Sequence, residues 1–456
     1  MAGLFRNRCS LLLLGWSLFS LVARANMWST GYYPGWEQGA MPASNIDFTA
    51  LSHVIHFSLG PKSDGTLNSS DNSITTANSA DIISHAHASG AKVLICVGGA
   101  STETLFQGAT SNHLSAFINN LTNFMASRGY DGIDVDWEPL PASDTRQFTN
   151  LVNGLRSALN GFPQHKLLTA AAGAYPSFGD PPAAQYQMYA SLQNQFDQIN
   201  IMTYDLSGPY PGWVTWFNSP IFDGGYRFPS TGGLVPSING AVNNFLSGGV
   251  APGKLGIGIP FYGYVWTGGS GTTTGGVTQP RQTWTTAPNV ATPSYTSIVA
   301  GSYQSNLYRW DTAAQTAYLT ISNATPANDM FISYEDPRAC QAKVSYARNH
   351  GLGGIMIWEL AQDHQGGQPD PLLQAVKQAL ASPGMVGIQI TNRKVMLTFT
   401  GVALGSYRIQ WIDTLTNSVW NTLAVTNVSS DNQLLQVIDP NPPGQSQKFY
   451  RVQSPQ

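Results

Sequence analysis

Eight short apolar runs, separated by segments of helical period, organise the chain from about residue 28 to 380. They fall at 27–33, 53–58, 92–97, 132–137, 167–172, 198–202, 255–259 and 354–358. Each is too short for a helix and reads as a strand. Strands that alternate with helices imply parallel βαβ units, and eight such units imply a closed (β/α)8 TIM barrel of the α/β class. The regular spacing breaks between Trp266 and Phe331, where a Gly/Thr-rich stretch gives way to Tyr308-Arg309-Trp310-Asp311 and a hairpin pattern. A gap this long is not a plain loop, so a small α+β insertion is expected over about 267–331. After Pro383-Gly384 the pattern changes again. Runs such as 395–399 and 407–411 alternate without any helical period, which predicts a C-terminal all-β, sandwich-like module over 385–456. Within that module Trp411 and Trp420 are either core residues or exposed platforms.

The first 25 residues read as a leader rather than as structure. Arg6 and Arg8 precede an apolar stretch from Leu11 to Val22, and Ala23-Arg24-Ala25 supplies a small-x-small cleavage site. The apolar run is too short to span a membrane, so a signal peptide removed near Ala25 and an extracellular location are expected. The barrel unit then covers 26–382. Losing Arg6, Arg8 and Arg24 leaves 19 basic against 25 acidic residues and takes the formal charge from -3 to -6. A mildly acidic chain argues against nucleic acid as a partner. Charged residues make up 10% of the sequence, so its surface is neutral and polar, which suits an uncharged partner such as a carbohydrate. Three cysteines occur and Cys9 leaves with the leader. Cys96 sits in a strand pattern and Cys340 in a helical one, which predicts buried free thiols and no disulfide framework.

Against this sparse charge, residues 131–138 concentrate acid. They read Asp131-Gly132-Ile133-Asp134-Val135-Asp136-Trp137-Glu138. Period-two alternation puts Asp134, Asp136 and Glu138 on one strand face and Ile133, Val135 and Trp137 on the other. Three carboxylates so close cannot all ionise in a partly buried site, so protons are shared and at least one pKa rises. A raised carboxyl pKa is what a general acid needs near neutral pH. A hard-cation site is the weaker reading, because such sites use turn geometry with Gly at set offsets, not a straight strand. Strand C-terminal ends carry the site in barrels of this kind. Here they hold Tyr32 with Trp36, the pair Gly98-Gly99, Met202 to Asp205, Phe261-Tyr262, and Trp358. Together they predict a concave aromatic and acidic cleft of the sort that grips a sugar ring.

The run at 131–138 resembles the D-G-x-D-x-D-x-E signature of family 18 glycoside hydrolases, the chitinase family, at every acidic position. The likeness spans roughly residues 28 to 380, and Ser333 to Asp336 with Leu352 to Trp358 resembles the bacterial branch. It implies a secreted enzyme that cleaves β-1,4-linked N-acetylglucosamine in chitin with retention, the substrate's own 2-acetamido oxygen serving as nucleophile. By the same resemblance Glu138 is the general acid/base, Asp136 orients the acetamido group, Asp134 shares a proton with Asp136, and Tyr204 hydrogen-bonds the acetamido carbonyl. Tyr32 and Asp205 hold the sugar, Trp358 forms its floor, and Met202 packs beneath the acetyl group. Trp36, Gly99, Trp137 and Tyr262 complete the expected substrate contacts. Four positions depart from the family pattern: Cys96, Ala100, Pro139 and Tyr264. Alternative activities are an endo-β-N-acetylglucosaminidase acting on N-glycans and a non-catalytic chitin lectin. The expected partners are chitin and N-acetylglucosamine oligosaccharides, with no membrane, metal or cofactor, and the chain is expected to act as a monomer.

Overall fold

A computed structural model describes residues 27–456, apart from 178–179, 182, 368, 382–383, 392–393, 402–405, 415–418, 428–432, 441–447 and 454–456. The expected leader lies outside the described residues, as does Pro383 of the expected break at Pro383-Gly384. The chain runs through β1 (Trp28–Pro34), β2 (His53–Pro61) and a two-residue antiparallel partner β3 (Leu67–Asn68). It continues through β4 (Lys92–Gly99), β5 (Gly132–Trp137), β6 (Leu167–Gly173), β7 (Gln198–Met202) and β8 (Leu255–Pro260). A second sheet follows, made of β9 (Tyr264–Thr267), β10 (Asn289–Ala291), β11 (Tyr308–Asp311), β12 (Thr316–Ile321) and β13 (Met330–Tyr334), before β14 (Gly354–Trp358).

Among the described residues, β1, β2, β4 to β8 and β14 pair in parallel, and β1 pairs with both β2 and β14. The sheet therefore closes into the eight-stranded barrel that the alternation predicts. Helices fill the connections: α1 (Thr76–Ala88), α2 (Glu103–Asn112), α3 (Leu114–Arg128), α4 (Thr145–Leu159), α5 (Ala184–Leu192), α6 (Ile238–Ser247), α7 (Tyr295–Gly301), α8 (Pro337–Asn349) and α9 (Pro371–Ala381). Local chemistry fixes their ends. Ser237 caps α6 by accepting from the Gly240 N–H, and Asp336 caps α8 in the same way, with Pro337 in the first turn where no N–H is needed. Gly129 ends α3 in the left-handed conformation at φ 84.

Alternation along the strands separates two cores. Ile133, Val135 and Trp137 face outward to the helices, where α4 presents Phe148, Leu151, Val152, Leu155 and Leu159 from one face. Burying each such side chain contributes about 1.5–3 kcal/mol. A second cluster fills the barrel interior with Tyr32, Ile55, Phe57, Leu94, Cys96, Tyr204 and Met356. Cys96 and Cys340 are buried and free.

The second sheet has the order β10-β9-β13-β12-β11 and carries α7. Its edges differ from the expected 267 and 331, because β9 begins at Tyr264 and pairs with β13 as far as Ser333. Beyond α9, β15 (Gly384–Thr391), β16 (Lys394–Gly401) and β19 (Gln433–Asp439) form one three-stranded sheet. Another contains β17 (Ser406–Ile412), β18 (Asn421–Asn427) and β20 (Phe449–Gln453). Val395, Leu397 and Phe399 from the first sheet pack with Tyr407 and Ile409 from the second, giving the expected all-β sandwich. Trp411 and Trp420 are half-buried, with the Lys448 ammonium 3.9 Å and the Arg451 guanidinium 4.3 Å from their rings. Among the described residues, no helix is long and apolar enough to cross a membrane.

Candidate active site

The β5 strand delivers its acids to the barrel interior. Asp134 is fully buried, and its two oxygens accept from Tyr32 Oη at 2.8 Å and Thr169 Oγ1 at 2.5 Å. Burial raises its pKa, and these donors, joined by the Cys96 thiol, oppose the rise. Asp136 is 2% exposed. Burial and the charges of Glu138 and Asp134 push its pKa well above the ordinary carboxyl range. Burial also raises the Glu138 pKa, while the hydrogen bond from Asp136 offsets part of the rise. Two acids this close do not both ionise cheaply, so Asp136 and Glu138 titrate together. A proton shared between Asp134 and Asp136 is expected, and the hydrogen bonds seen at Asp134 come from other groups. Asp134 is satisfied by Tyr32, Thr169 and Cys96, and Asp136 turns to Glu138. The other oxygen of Asp136, Oδ1, is buried without a hydrogen-bond partner among the described residues.

Two glycines at the end of β4 make room for this acid face. Gly98 pairs with Asp136 and Gly99 with Trp137. Their φ angles are 113 and 118, a region that residues with a Cβ rarely adopt. A Cβ at Gly98 would lie 1.9 Å from the Asp136 carbonyl oxygen, and one at Gly99 would meet the Phe57 ring at 2.7 Å. Just beyond β5, the Glu138 carbonyl accepts from the N–H groups of Thr102 and Glu103, which open α2. This contact fixes the backbone from which the Glu138 carboxyl projects.

Aromatic rings descend from the surface to these acids. Trp36 is 46% exposed and lies 5.8 Å edge-on to Phe57. Phe57 meets Trp358 at 4.8 Å, and Trp358 meets Tyr32 at 5.5 Å. On the opposite side Tyr204 packs 6.1 Å from Tyr262, and half-buried Met202 joins the same interior cluster. Burial and the surrounding acids raise the Tyr204 pKa well above the ordinary phenol range, so it remains a hydrogen-bond donor. Its hydroxyl meets a weak acceptor, Met356 Sδ, at 3.8 Å. Exposed Asp205 stands at φ 56, and its Oδ1 accepts from Tyr262 Oη at 2.5 Å and Tyr264 Oη at 2.8 Å.

Of the twelve residues expected at this site, Trp137 alone packs into the outer core. Its ring stacks on Phe106 at 4.6 Å and meets Phe148 at 6.2 Å in the outer core. The alternation that sends Asp136 and Glu138 inward sends Trp137 outward, so the expected sugar contact is withdrawn. Sequence reasoning missed Thr169, Phe57 and Asn218. Thr169 is a lone hydroxyl in an otherwise apolar strand, which is a usable sign. Tyr264, read as a departure from a family pattern, proves to be a second donor to Asp205. Asp131, at the other end of β5, binds His87, Lys92 and the Val93 N–H, far from the acid face. Among the described residues no group of three or more His, Cys, Asp or Glu is arranged to hold a metal ion.

The model of glycosyl hydrolases family 18 matches residues 29–363. Chitinase A1 of Niallia circulans is 32% identical over 354 residues, covering 70% of this chain and 47% of that protein. Chitinase 1 of Aphanocladium album is 27% identical over 310 residues, covering 64% of this chain and 66% of its own length. The chain thus spans less than two thirds of the length of either relative. Among solved structures, the Group IV chitinase of Ostrinia furnacalis superposes with a TM-score of 0.67 at 23% identity, over 78% of this chain and 100% of that one. At that identity the likeness speaks for the fold.

Proposed function

The chain belongs to family 18 of the glycosyl hydrolases, and from that premise we propose that it is a chitinase. It hydrolyses β-1,4 bonds between N-acetylglucosamine units with retention of configuration. The observation that carries this reading is the adjacent carboxyls of buried Asp136 and half-buried Glu138, their pKa values raised by burial, at the foot of a ladder of aromatic rings. Family 18 is an exception to the scheme of two carboxylates with a protein nucleophile. Glu138 takes up the proton that Asp136 shares with it and gives it to the glycosidic oxygen as the bond from C1 breaks, and the acetamido oxygen of the same sugar closes on C1. Water then opens the resulting oxazolinium, with Glu138 taking back a proton. The unpartnered Oδ1 of Asp136 is an acceptor suited to the acetamido N–H. Tyr204, held as a neutral phenol, exchanges its weak sulfur contact for the acetamido carbonyl. Trp358 and Tyr32 supply the apolar face and hydroxyl that hold the ring. On this reading the leader ahead of Ala25 directs export, the chain works as a monomer, and its partners are chitin and its oligosaccharides.

The test is hydrolysis of chitin hexamer by wild type and Glu138→Gln. Loss of a general acid costs on the order of a hundred- to ten-thousand-fold in rate, while the isosteric amide leaves binding in place. Activity of the variant within tenfold of wild type would show that another group is the acid.

A further inference from the structure

Asn218 lies in the long connection between β7 and α6 and is 1% exposed. Every polar group it owns is engaged. Its N–H donates to Ser333 Oγ at 2.9 Å, and its carbonyl accepts from the Leu206 N–H at 3.0 Å. Its side-chain Oδ1 accepts from the Asp205 N–H at 2.8 Å, and Nδ2 reaches the Tyr262 carbonyl at 3.4 Å. Two consecutive N–H groups, those of Asp205 and Leu206, are thus held by one residue. Between them Asp205 adopts a left-handed backbone at φ 56, a conformation that costs a non-glycine residue about 1–2 kcal/mol and persists only where its surroundings impose it. The next residue anchors the arrangement. Ser219 Oγ donates to the Thr203 carbonyl at 2.6 Å and accepts from the buried Lys343 ammonium at 2.7 Å. Ser333 belongs to β13 and Tyr264 to β9, so the second sheet reaches Asp205 both through Asn218 and directly.

We propose that Asn218 is a positioning residue for Asp205: it holds the left-handed turn that aims this carboxylate at the sugar. The proposal rests on the chitinase reading, in which Asp205 contacts substrate. Both phenols bond the same oxygen of Asp205, which leaves Oδ2 for the ligand, and the direction of Oδ2 follows from the backbone that Asn218 fixes. A group that acts only through a ground-state contact shows itself in KM and leaves kcat alone.

The experiment is a double-mutant cycle on chitin hexamer. Asp205→Gly removes the carboxylate without straining the left-handed backbone. In the wild-type background Asn218→Ala raises KM about tenfold, with kcat within threefold. In the Asp205→Gly background the same substitution changes kcat/KM by less than twofold, because nothing remains to be aimed. A general brace would cost the same in both backgrounds, and that result overturns the proposal. Should Asn218→Ala fail to fold, the cycle is run with Asn218→Asp at pH 8. That change sets a second carboxyl beside Asp205, so it weakens binding in the wild-type background and not in the Asp205→Gly background. Equal losses would again overturn the assignment. A wild-type enzyme inactive on the hexamer would sink the chitinase reading itself, a result distinct from an active enzyme with equal losses.

Discussion

Adding a single methyl group at Gly98 should cripple the site without touching any acid. Gly98→Ala places a Cβ 1.9 Å from the Asp136 carbonyl oxygen and 2.9 Å from Phe106 Cε2. Contacts of that kind are not found below about 3.0 Å. Gly98 cannot retreat, because its own carbonyl accepts from the buried Ser58 Oγ at 2.8 Å on its far side. The Asp136 backbone must therefore yield by the difference, about 1.1 Å, and carry the Asp136–Glu138 pair with it. A misplacement of about 1 Å in a catalytic array costs on the order of a hundredfold in rate. The residue also sits at φ 113, so backbone strain adds about 1–3 kcal/mol of destabilisation. Gly90→Ala is the control, since Gly90 has φ 81 and no atom within 4 Å of the added carbon. It should lose stability through strain alone, with no effect on turnover. The assay pairs kcat on a soluble chitin oligosaccharide with a thermal melt. A folded Gly98→Ala enzyme with kcat within threefold of wild type would refute the argument that β4 and β5 are this tightly keyed.

Two further outcomes follow from burial. Trp137→Ala should lower stability by about 3–5 kcal/mol, the cost of emptying a core aromatic, and leave KM for chitin hexamer unchanged in the folded fraction; a raised KM with an unchanged melting curve would return Trp137 to the sugar. Asp363 and Glu359 have pKa values raised by burial to about 8. Folding therefore favours their protonated forms, and the stability they contribute is full below about pH 4 and is lost as pH climbs toward 8, at no more than about 1.4 kcal/mol per unit for each group. Asp363→Asn keeps an oxygen for the Leu372 and Leu373 N–H groups and removes one titration, so its melting temperature should fall less between pH 5 and pH 8 than that of wild type; parallel curves would contradict this.

The barrel was legible because each of its strands carries its own local pattern, and the β5 acids were legible because they break a charge-poor sequence at period two. The C-terminal sandwich showed itself for the same local reason. What escaped was non-local. Nothing near Asn218 announces that its side chain will hold Asp205, since the partner N–H arrives from a different turn of the same long connection. The edges of the second sheet escaped likewise, because β9 and β13 recognise each other across some sixty residues of intervening chain. Trp137 is a different kind of miss. The alternation already assigned it to the outer face, and a motif read as a block overrode that assignment. Tyr264 departs from the family pattern in identity, yet from the start of β9 its phenol reaches the Asp205 carboxylate.

The most direct test of the account is the anomeric form of the first product. Proton NMR during the first minutes of chitin hexamer hydrolysis by the wild-type protein resolves the new reducing ends before they equilibrate. If Glu138 protonates the leaving oxygen while the acetamido group attacks C1, the β-anomer appears first and the α-anomer only later, at the rate of spontaneous mutarotation. The α-anomer appearing first would mean that water attacks C1 directly. The Asp136–Glu138 pair would then not be performing the chemistry its geometry is read to support.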